Sequence, residues 1–244
     1  MTARVLVVED DPVSAAFLCD VLRRRHTVSH SASLADARGV LATADAEHAF
    51  DLALIDLHLD DGSGIDLLRL LCAPPGGTAR TTCIALSAEL DPPLVASLRA
   101  MGCANVLGKP LTVAQLEHAV AQALGDAEDG RDSSMPGSIV ASASPPIWDD
   151  AAALRALGGQ QDVLDRLRGL LLQDLPGHRT RIIEAHAQGD HATLDAELHR
   201  LRAACGFCGA VALGSACAQL KVRRDKESLR GVLLAVAALM AARA

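Results

Sequence analysis

Aromatic residues are scarce in this sequence: its 244 residues include no tyrosine, one tryptophan and three phenylalanines. Proteins that hold single-stranded nucleic acid stack the bases on aromatic side chains and follow the phosphates with an excess of positive charge. Here the formal net charge is −7. Both shortages argue against a nucleic-acid partner.

Long hydrophobic runs are also missing. No stretch reaches the roughly 20 consecutive apolar residues that a membrane-spanning helix needs, and the longest, residues 231–242, has the character of a buried helix. The first residues, MTARVLVVEDD, turn acidic within ten positions, unlike a secretory signal. The seven cysteines are scattered and odd in number, which does not suggest a disulfide framework. We therefore expect no membrane insertion and a cytoplasmic location.

The residues that are present are distributed unevenly. Half of them are hydrophobic, which excludes a disordered chain, and the length suits two modest domains. The formal charge is −6 over residues 1–124, −5 over residues 125–150 and +4 over residues 151–244. Gly, Ser, Pro and acidic residues dominate the middle stretch, which is typical of a linker. We predict one domain over residues 1–124, an acidic flexible linker over 125–146 and a second domain over 147–244.

In the first domain, short apolar runs alternate with helix-like stretches. The predicted strands are 4–8, 26–30, 50–55, 82–86 and 105–107, and the predicted helices are 12–25, 34–44, 65–71, 94–101 and 113–124. This alternation is typical of an α/β fold, a doubly wound, five-stranded parallel sheet with helices on its faces.

The strand signal disappears in the second domain, and helical stretches take its place. They cover 149–157, 161–175, 177–188, 190–207, 211–224 and 227–242, with breaks at Gly158-Gly159, Pro176 and Gly189. Short connections suit antiparallel neighbours, so we predict an all-α helical bundle.

Polar side chains follow the predicted strands of the first domain where those strands end. Glu9 and Asp10 follow the first strand, Asp56 ends the third, Ser87 the fourth and Lys109 the fifth. In an open parallel sheet the carboxyl ends of the strands form one rim, where ligands bind. Carboxylates gathered there repel one another unless a cation joins them, and an all-oxygen cluster suits Mg²⁺. One carboxylate could then act as nucleophile toward a phosphoryl group.

This ordered set resembles the receiver domains of two-component response regulators. The resemblance covers about residues 3–124 and rests on four strings: VLVVEDD followed by Pro12, LIDLHLDDGSGIDLL around Asp56, ALSA at Ser87, and the pair Lys109-Pro110. No single string is specific, but the set with this spacing is.

The resemblance implies a role for each residue of the rim. Asp56 would be the phosphoacceptor. Asp10, Asp56 and the main-chain carbonyl of His58 would bind Mg²⁺ directly, and Glu9 would act through water. The remaining pair, Ser87 and Lys109, would contact the phosphoryl oxygens.

Two features depart from the receiver pattern. Val106 stands three residues before the lysine, where receivers usually carry an aromatic residue that couples phosphorylation to conformation, so we expect that coupling to be weakened. His58 and Glu89 occupy variable positions that tune dephosphorylation in receivers. Haloacid-dehalogenase-like phosphatases also use an aspartate nucleophile, but they need a second aspartate where His58 stands, which argues against that class.

One histidine of the second domain has an unusual setting. On the helix predicted to follow Asp190, the core side is a stripe of Leu194, Leu198, Leu201, Cys205 and Cys208. His199 lies roughly 140° from the centre of that stripe, so we expect its imidazole to be exposed. Arg202 and Gly206 follow on its face, which puts a cation and little bulk beside it. A neutral imidazole is a nucleophile near pH 7, and a guanidinium holds phosphoryl oxygens.

The string HRLRAACGFCGA, which begins at His199, resembles the phosphoacceptor segment of histidine-containing phosphotransfer (HPt) domains, which are four-helix bundles. The resemblance covers roughly residues 147–222 and implies that His199 is a phosphoacceptor, with Arg202 in place of the usual lysine. Cys205 and Cys208 also fit the CxxC form of redox and zinc sites. They lie on the core stripe and no second ligand pair follows, which favours buried packing residues.

The two resemblances together imply a phosphorelay signalling protein. A sensor histidine kinase would load Asp56, and His199 would exchange phosphoryl with a receiver aspartate, its own or that of a downstream response regulator. Such a chain transfers phosphoryl groups and is not an enzyme beyond its own phosphorylation and dephosphorylation. Two alternatives stay open: a receiver-controlled protein-binding module in which His199 is incidental, and a phosphatase or phosphate sink of a two-component pathway.

Overall fold

The computed structural model describes residues 2–43, 49–72, 81–88, 90–125 and 146–242. Nearly all of the linker predicted over 125–146, and the variable position Glu89, lie outside the described residues.

The first domain is built on strands that follow the predicted apolar runs. The strands are β1 (Arg4–Val8), β2 (Thr27–Ser31), β3 (Leu52–Asp56), β4 (His58–Leu59), β5 (Gly62–Ser63), β6 (Thr82–Ser87) and β7 (Asn105–Gly108). The helices are α1 (Pro12–Leu22), α2 (Leu34–Thr43), α3 (Gly64–Leu71), α4 (Pro92–Ala100) and α5 (Val113–Ala123).

Five of these strands form one parallel sheet, in the order β2-β1-β3-β6-β7. This confirms the doubly wound α/β fold. The inner strands β1, β3 and β6 are buried at nearly every position because helices cover both faces, which is why they appear in the sequence as continuous apolar runs. The antiparallel hairpin of β4 and β5 was not predicted, since two-residue strands carry no periodic signal.

Local chemistry sets where the helices of this domain begin. The Asp11 side chain accepts a hydrogen bond from the Ser14 amide at 2.7 Å, and Pro12 occupies the first turn of α1. Thr112 and Gln115 form a capping box at the start of α5. Both helices therefore start where strands have just ended, which keeps the rim of the sheet open.

Over residues 146–242 the elements of the second domain are all helices, as predicted: α6 (Asp150–Ala156), α7 (Gln161–Gln188), α8 (His191–Cys208), α9 (Val211–Arg223) and α10 (Lys226–Ala241). α8 and α9 each follow a left-handed glycine, Gly189 and Gly209. Among the described residues, no helix is long and apolar enough to cross a membrane.

The break predicted at Pro176 is wrong, because α7 is one helix of 28 residues that contains Pro176. Proline removes one intrahelical hydrogen bond. That loss is outweighed by a buried stripe that runs along the whole helix and packs on α8 and α10: Leu164, Leu167, Leu171, Leu175 and Ile182.

The two domains share one hydrophobic core. α1 packs its outer face on α7 and α8, and a single cluster of buried residues continues from the sheet through α1 into the bundle. Phe17 of α1 and Phe207 of α8 stack with ring centroids 4.5 Å apart, both fully buried. The bundle is therefore seated on the first domain, beside the rim of the sheet.

Candidate functional site

The carboxylates predicted at the rim meet around one lysine. Lys109 Nζ lies 2.6 Å from Asp56 Oδ2 and also pairs with the Glu9 carboxylate. All three side chains are buried. The topology explains this meeting, because β1, β3 and β7 all run in one direction and end on the same edge.

Burial and charge shift the pKa values of these groups in opposite ways. Burial alone would lower the pKa of Lys109, but the charges of Glu9 and Asp56 outweigh it and raise that pKa. Burial raises the pKa of Glu9 well above its usual range, although Lys109 partly offsets the effect. The lysine is therefore a permanent cation at this rim, held against Asp56.

The acidic residues also offer a place for a divalent metal ion. One carboxylate oxygen from each of Glu9, Asp10 and Asp56 lies within 4.8 Å of the others. Glu9 Oε1 and Asp10 Oδ1 are buried with no hydrogen-bond partner among the described residues. Burial raises the pKa of Asp10, with partial relief from the charge of Arg200. Unpartnered oxygens in an acidic cluster fit a hard cation such as Mg²⁺, so these residues match the predicted ligands.

Two further features position Asp56. The His58 amide donates to Asp56 Oδ1 at 3.1 Å, and Gly64 packs so closely that a Cβ there would lie 2.9 Å from the Asp56 carbonyl carbon. The Lys109 amide donates to the Ser87 carbonyl oxygen at 2.7 Å, which aligns the last residues of neighbouring strands. Asp56 therefore sits in a fixed position at the end of β3, next to the strand ends that carry Ser87 and Lys109.

His199 does not have the exposure expected from the sequence. Its imidazole does face away from the core stripe of α8, but it is only 7% exposed because the first domain covers that face. Its ring lies beside that of His58, with centroids 4.6 Å apart and planes tilted by 43°. Ligand atoms of Asp56, His58 and His199 lie within 4.8 Å of one another. The structure thus brings the two predicted phosphoacceptors together in one site.

Small residues on α8 make this approach possible. A Cβ at Gly206 would lie 2.6 Å from Pro110 Cβ, so only a glycine lets α8 come this near to the loop after Lys109. The sequence indicated a face with little bulk around His199, and the neighbour that uses the space is Pro110. Cys205 and Cys208 are buried in the core, as the packing interpretation required.

Arg200 is a residue at the acidic rim that the sequence did not point to. Its guanidinium contacts Asp10 Oδ2 at 3.2 Å and pairs with Asp60 across the interface. In the sequence Arg200 is one of 13 Lys and Arg residues over 151–244, and charged residues of this kind usually lie on a solvated helix face, so no signal separates it from the others. Arg202 is half-buried one turn beyond His199. Burial raises the pKa of the Cys205 thiol and the charge of Arg202 partly offsets this, so Arg202 also lies near the bundle core.

Arg200 is held in place by Glu197, which is buried in the bundle. Glu197 accepts hydrogen bonds from Arg200 at 2.5 Å, from Arg181 Nε at 2.8 Å and from His178 Nδ1 at 2.8 Å. Burial would raise the pKa of Glu197, but the bonds from His178 and Arg181 outweigh it and lower that pKa. A buried carboxylate thus fixes the arginine that reaches the acidic rim.

Comparison with known protein families identifies both halves of the chain. A model of the response regulator receiver domain matches residues 5–121, and a model of the Hpt domain matches residues 166–244. The signal receiver domain of a Luxo repressor protein from Vibrio parahaemolyticus is one similar solved structure. It is 25% identical, covers 51% of this chain and 92% of its own, and has a TM-score of 0.45.

Two curated relatives match across both halves. Sensor histidine kinase AruS of Pseudomonas aeruginosa is 31% identical over 224 residues, which are 89% of this chain and 20% of that protein. Signal transduction histidine-protein kinase BarA of Shigella flexneri is 25% identical over 246 residues, or 94% of this chain and 25% of that protein. The chain therefore spans about a fifth to a quarter of the length of these relatives.

Proposed function

Because the chain belongs to the two-component signalling proteins and joins a response regulator receiver domain to an Hpt domain, we propose that it is a phosphorelay intermediate whose Asp56 and His199 exchange one phosphoryl group. The observation that carries this proposal is the meeting of the two side chains in one site, with ligand atoms within 4.8 Å.

Loading of Asp56 uses the groups around it. An Asp56 oxygen attacks the phosphorus of phosphohistidine in a sensor kinase, and the bond from phosphorus to the kinase nitrogen breaks. Asp10, Asp56 and the main-chain carbonyl of His58 would hold Mg²⁺ directly, with Glu9 acting through water, and the ion would neutralise charge on the phosphoryl oxygens. Lys109 and Ser87 would contact the same oxygens, and the fixed end of β3 keeps the Asp56 carboxylate aimed at the phosphorus.

Transfer to His199 is the reverse kind of step. An unprotonated ring nitrogen of His199 attacks the phosphorus, a nitrogen–phosphorus bond forms, and the bond to the Asp56 oxygen breaks. The electron pair returns to the carboxylate, whose charge Lys109 neutralises at 2.6 Å. The proton on the other ring nitrogen stays with the imidazole. Burial of His199 keeps bulk water from the phosphorus during the exchange.

Two arginines serve the transfer in different ways. Arg200 holds α8 on the acidic rim through Asp10 and Asp60, with Glu197 fixing its direction. Arg202, one turn from His199, neutralises phosphoryl oxygens when a partner receiver docks. We assign the chain no further enzymatic activity, and we place a sensor histidine kinase and a downstream response regulator receiver as its partners. The cytoplasmic location and the boundaries 1–124, 125–146 and 147–244 stay predictions.

The test follows the label through the full-length chain. The protein is loaded with a radiolabelled small phosphodonor and Mg²⁺, then quenched over time. Phosphohistidine survives strong base and aspartyl phosphate does not, so base-stable label reports on His199. We expect base-stable label in the wild type, none in His199→Gln, and neither form in Asp56→Asn or after chelation.

Three outcomes would contradict the proposal in distinct ways. Base-stable label that persists in His199→Gln assigns the acceptor to another residue. Label on Asp56 that never becomes base-stable, with any receiver added, favours the binding module. Release of phosphate as fast as it is loaded, unaffected by His199→Gln, favours the phosphate sink.

A further inference from the structure

We propose that Asp56, His58 and His199 form a second metal site between the two domains, selective for a borderline divalent cation such as Zn²⁺, and that this ion blocks phosphoryl exchange. The binding half of the proposal stands on geometry alone, and the blocking half rests on the proposed function.

The positions of the three side chains carry the proposal. Their ligand atoms lie within 4.8 Å of one another, and the two imidazole rings are 4.6 Å apart between centroids. Zinc bonds to nitrogen are about 2.0–2.1 Å, which puts two ligands of one tetrahedral ion about 3.3 Å apart. His58 is exposed, so its side chain is free to close that difference. The site needs only a small local movement.

The donor set separates this site from the magnesium site. Glu9, Asp10 and Asp56 offer oxygen alone, which suits Mg²⁺. Two imidazole nitrogens with one carboxylate suit Zn²⁺, Co²⁺ or Ni²⁺ and leave a fourth position open. Asp56 belongs to both sets, so binding of the borderline ion competes with use of that carboxylate.

The surrounding charge favours a cation here. Among the described residues of this cluster, the carboxylates of Glu9, Asp10, Asp56 and Asp60 outnumber the cations that pair with them, Lys109 and Arg200. Arg200 is also shared with the Glu197 carboxylate, so the local charge is negative. A dication at this place therefore offsets repulsion that the two cations leave in place.

Occupation of the site has a direct chemical consequence. The attacking ring nitrogen of His199 would share its electron pair with the ion and would not be available to attack phosphorus. The ion would also stand between that nitrogen and Asp56, where the phosphoryl group has to pass. The ion would also bridge two domains that otherwise meet through noncovalent contacts. It would hold the chain in its docked arrangement and keep other partners from both acceptors.

Cobalt titration of the full-length, tag-free protein tests the binding. Co²⁺ bound by nitrogen and oxygen ligands in a four-coordinate site gives visible absorption bands, and Zn²⁺ should displace them at one ion per chain. We expect His58→Ala and His199→Gln each to weaken binding by at least about tenfold, the size of effect that even outer-shell substitutions produce. His118→Ala is the matched control, because His118 is exposed on α5, away from the site, and should bind like the wild type.

A second measurement connects binding to exchange. Zn²⁺ added before the phosphodonor, while the Asp56 carboxylate is still free, should slow the appearance of base-stable label in the wild type, and its half-inhibiting concentration should rise by at least about tenfold in His58→Ala. Binding that survives in both His58→Ala and His199→Gln overturns the site, as does equal inhibition of wild type and His58→Ala. If exchange proceeds but no ion binds, the inference fails and the function stands. If the ion binds through these residues but no exchange occurs, the function fails and the site stands.

Discussion

Gly206 shows how much the docking of the two domains asks of a single residue. A Cβ at this position would lie 2.6 Å from Pro110 Cβ. The same methyl group would favour the helix itself, since alanine exceeds glycine in helix interiors by about 0.5–1 kcal/mol. Glycine at this position therefore lowers the stability of α8, and the need for it comes from the close approach of Pro110 in the other domain.

We predict that Gly206→Ala weakens the docking of the two domains, lowers the stability of the chain and impairs exchange, because the overpacking cost exceeds the gain in helix stability. Overpacking costs about 1–3 kcal/mol, so the docked population and the rate of transfer from Asp56 to His199 should fall by about 5- to 150-fold. The appearance of base-stable label measures the rate, and urea unfolding measures the stability. Gly169→Ala on α7 is the control, because a Cβ there meets nothing within 4 Å. Equal rates in both variants would show that α8 does not approach Pro110 during transfer.

A second residue-scale prediction concerns pH. Burial raises the pKa of both Glu9 and Asp10, so these groups hold protons at a higher pH than free carboxylic acids do. Mg²⁺ binds their deprotonated forms. Its affinity should therefore be greatest above the raised pKa values and fall as the pH decreases through them, starting above about pH 4.5.

Calorimetric titration of Mg²⁺ at a series of pH values checks this prediction. Glu9→Gln removes one of the titrating groups, so its affinity should be lower and should depend less steeply on pH. An affinity that stays constant down to about pH 4.5 would contradict the raised pKa values.

At the scale of elements, α1 has two faces with different tasks. One face packs on the sheet that carries Asp56, and the other packs on α7 and α8. The stacked rings of Phe17 and Phe207 are the aromatic contact between α1 and α8. Because 8 of the 11 residues of α1 are buried, the helix has a narrower solvent-exposed face than usual. Its sequence is accordingly apolar on both sides.

We predict energetic coupling between these two rings. In a double-mutant cycle of Phe17→Ala and Phe207→Ala, the coupling free energy should be about 0.5–1.5 kcal/mol, the range for stacked aromatic pairs. Urea unfolding of the full-length chain measures each variant. Purely additive losses would mean that the rings do not meet in solution.

The elements themselves were largely predictable from the sequence, and their exceptions have physical causes. The parallel strands and the helix starts follow from apolar runs and from caps such as Asp11. Pro176 misled the prediction because tertiary packing outweighs a local preference. Val106 is buried in the core on the other side of the sheet, where its predicted effect on conformational coupling stays a prediction.

At the scale of the whole molecule, the candidate site was only half predictable. Strand ends converge by topology, so Glu9, Asp10, Asp56, Ser87 and Lys109 were accessible from the sequence alone. The placement of His199 against Asp56 depends on which faces of the two domains pack together. The periodicity of apolar residues does not predict that packing. The contact of Arg200 with Asp10 depends on the same docking of the two domains, so the sequence does not distinguish Arg200 from a solvated surface arginine.

Arg166 of α7 and Asp20 of α1 form an ion pair between the two domains, so charge reversal tests the orientation in which the domains dock. Pairs at the surface contribute about 0.2–1 kcal/mol, so Arg166→Glu should slow transfer from Asp56 to His199 by about 1.4- to fivefold. The double variant Arg166→Glu with Asp20→Arg restores the pair and should recover the rate. If the double variant is as slow as the single one, the two domains dock in another orientation.

The covalent connection between the two acceptors has a consequence for signalling in a cell. Donor and acceptor of the internal exchange come in a fixed ratio of one to one, so its rate per molecule does not change with the number of copies expressed. A tether typically supplies an effective concentration in the millimolar range, whereas a separate receiver competes only in proportion to its abundance. Each chain should therefore keep its phosphoryl group on Asp56 or His199 while partner receivers are rare, and pass it on as they become abundant. The abundance of partner receivers would then determine how long the phosphoryl group stays on the chain.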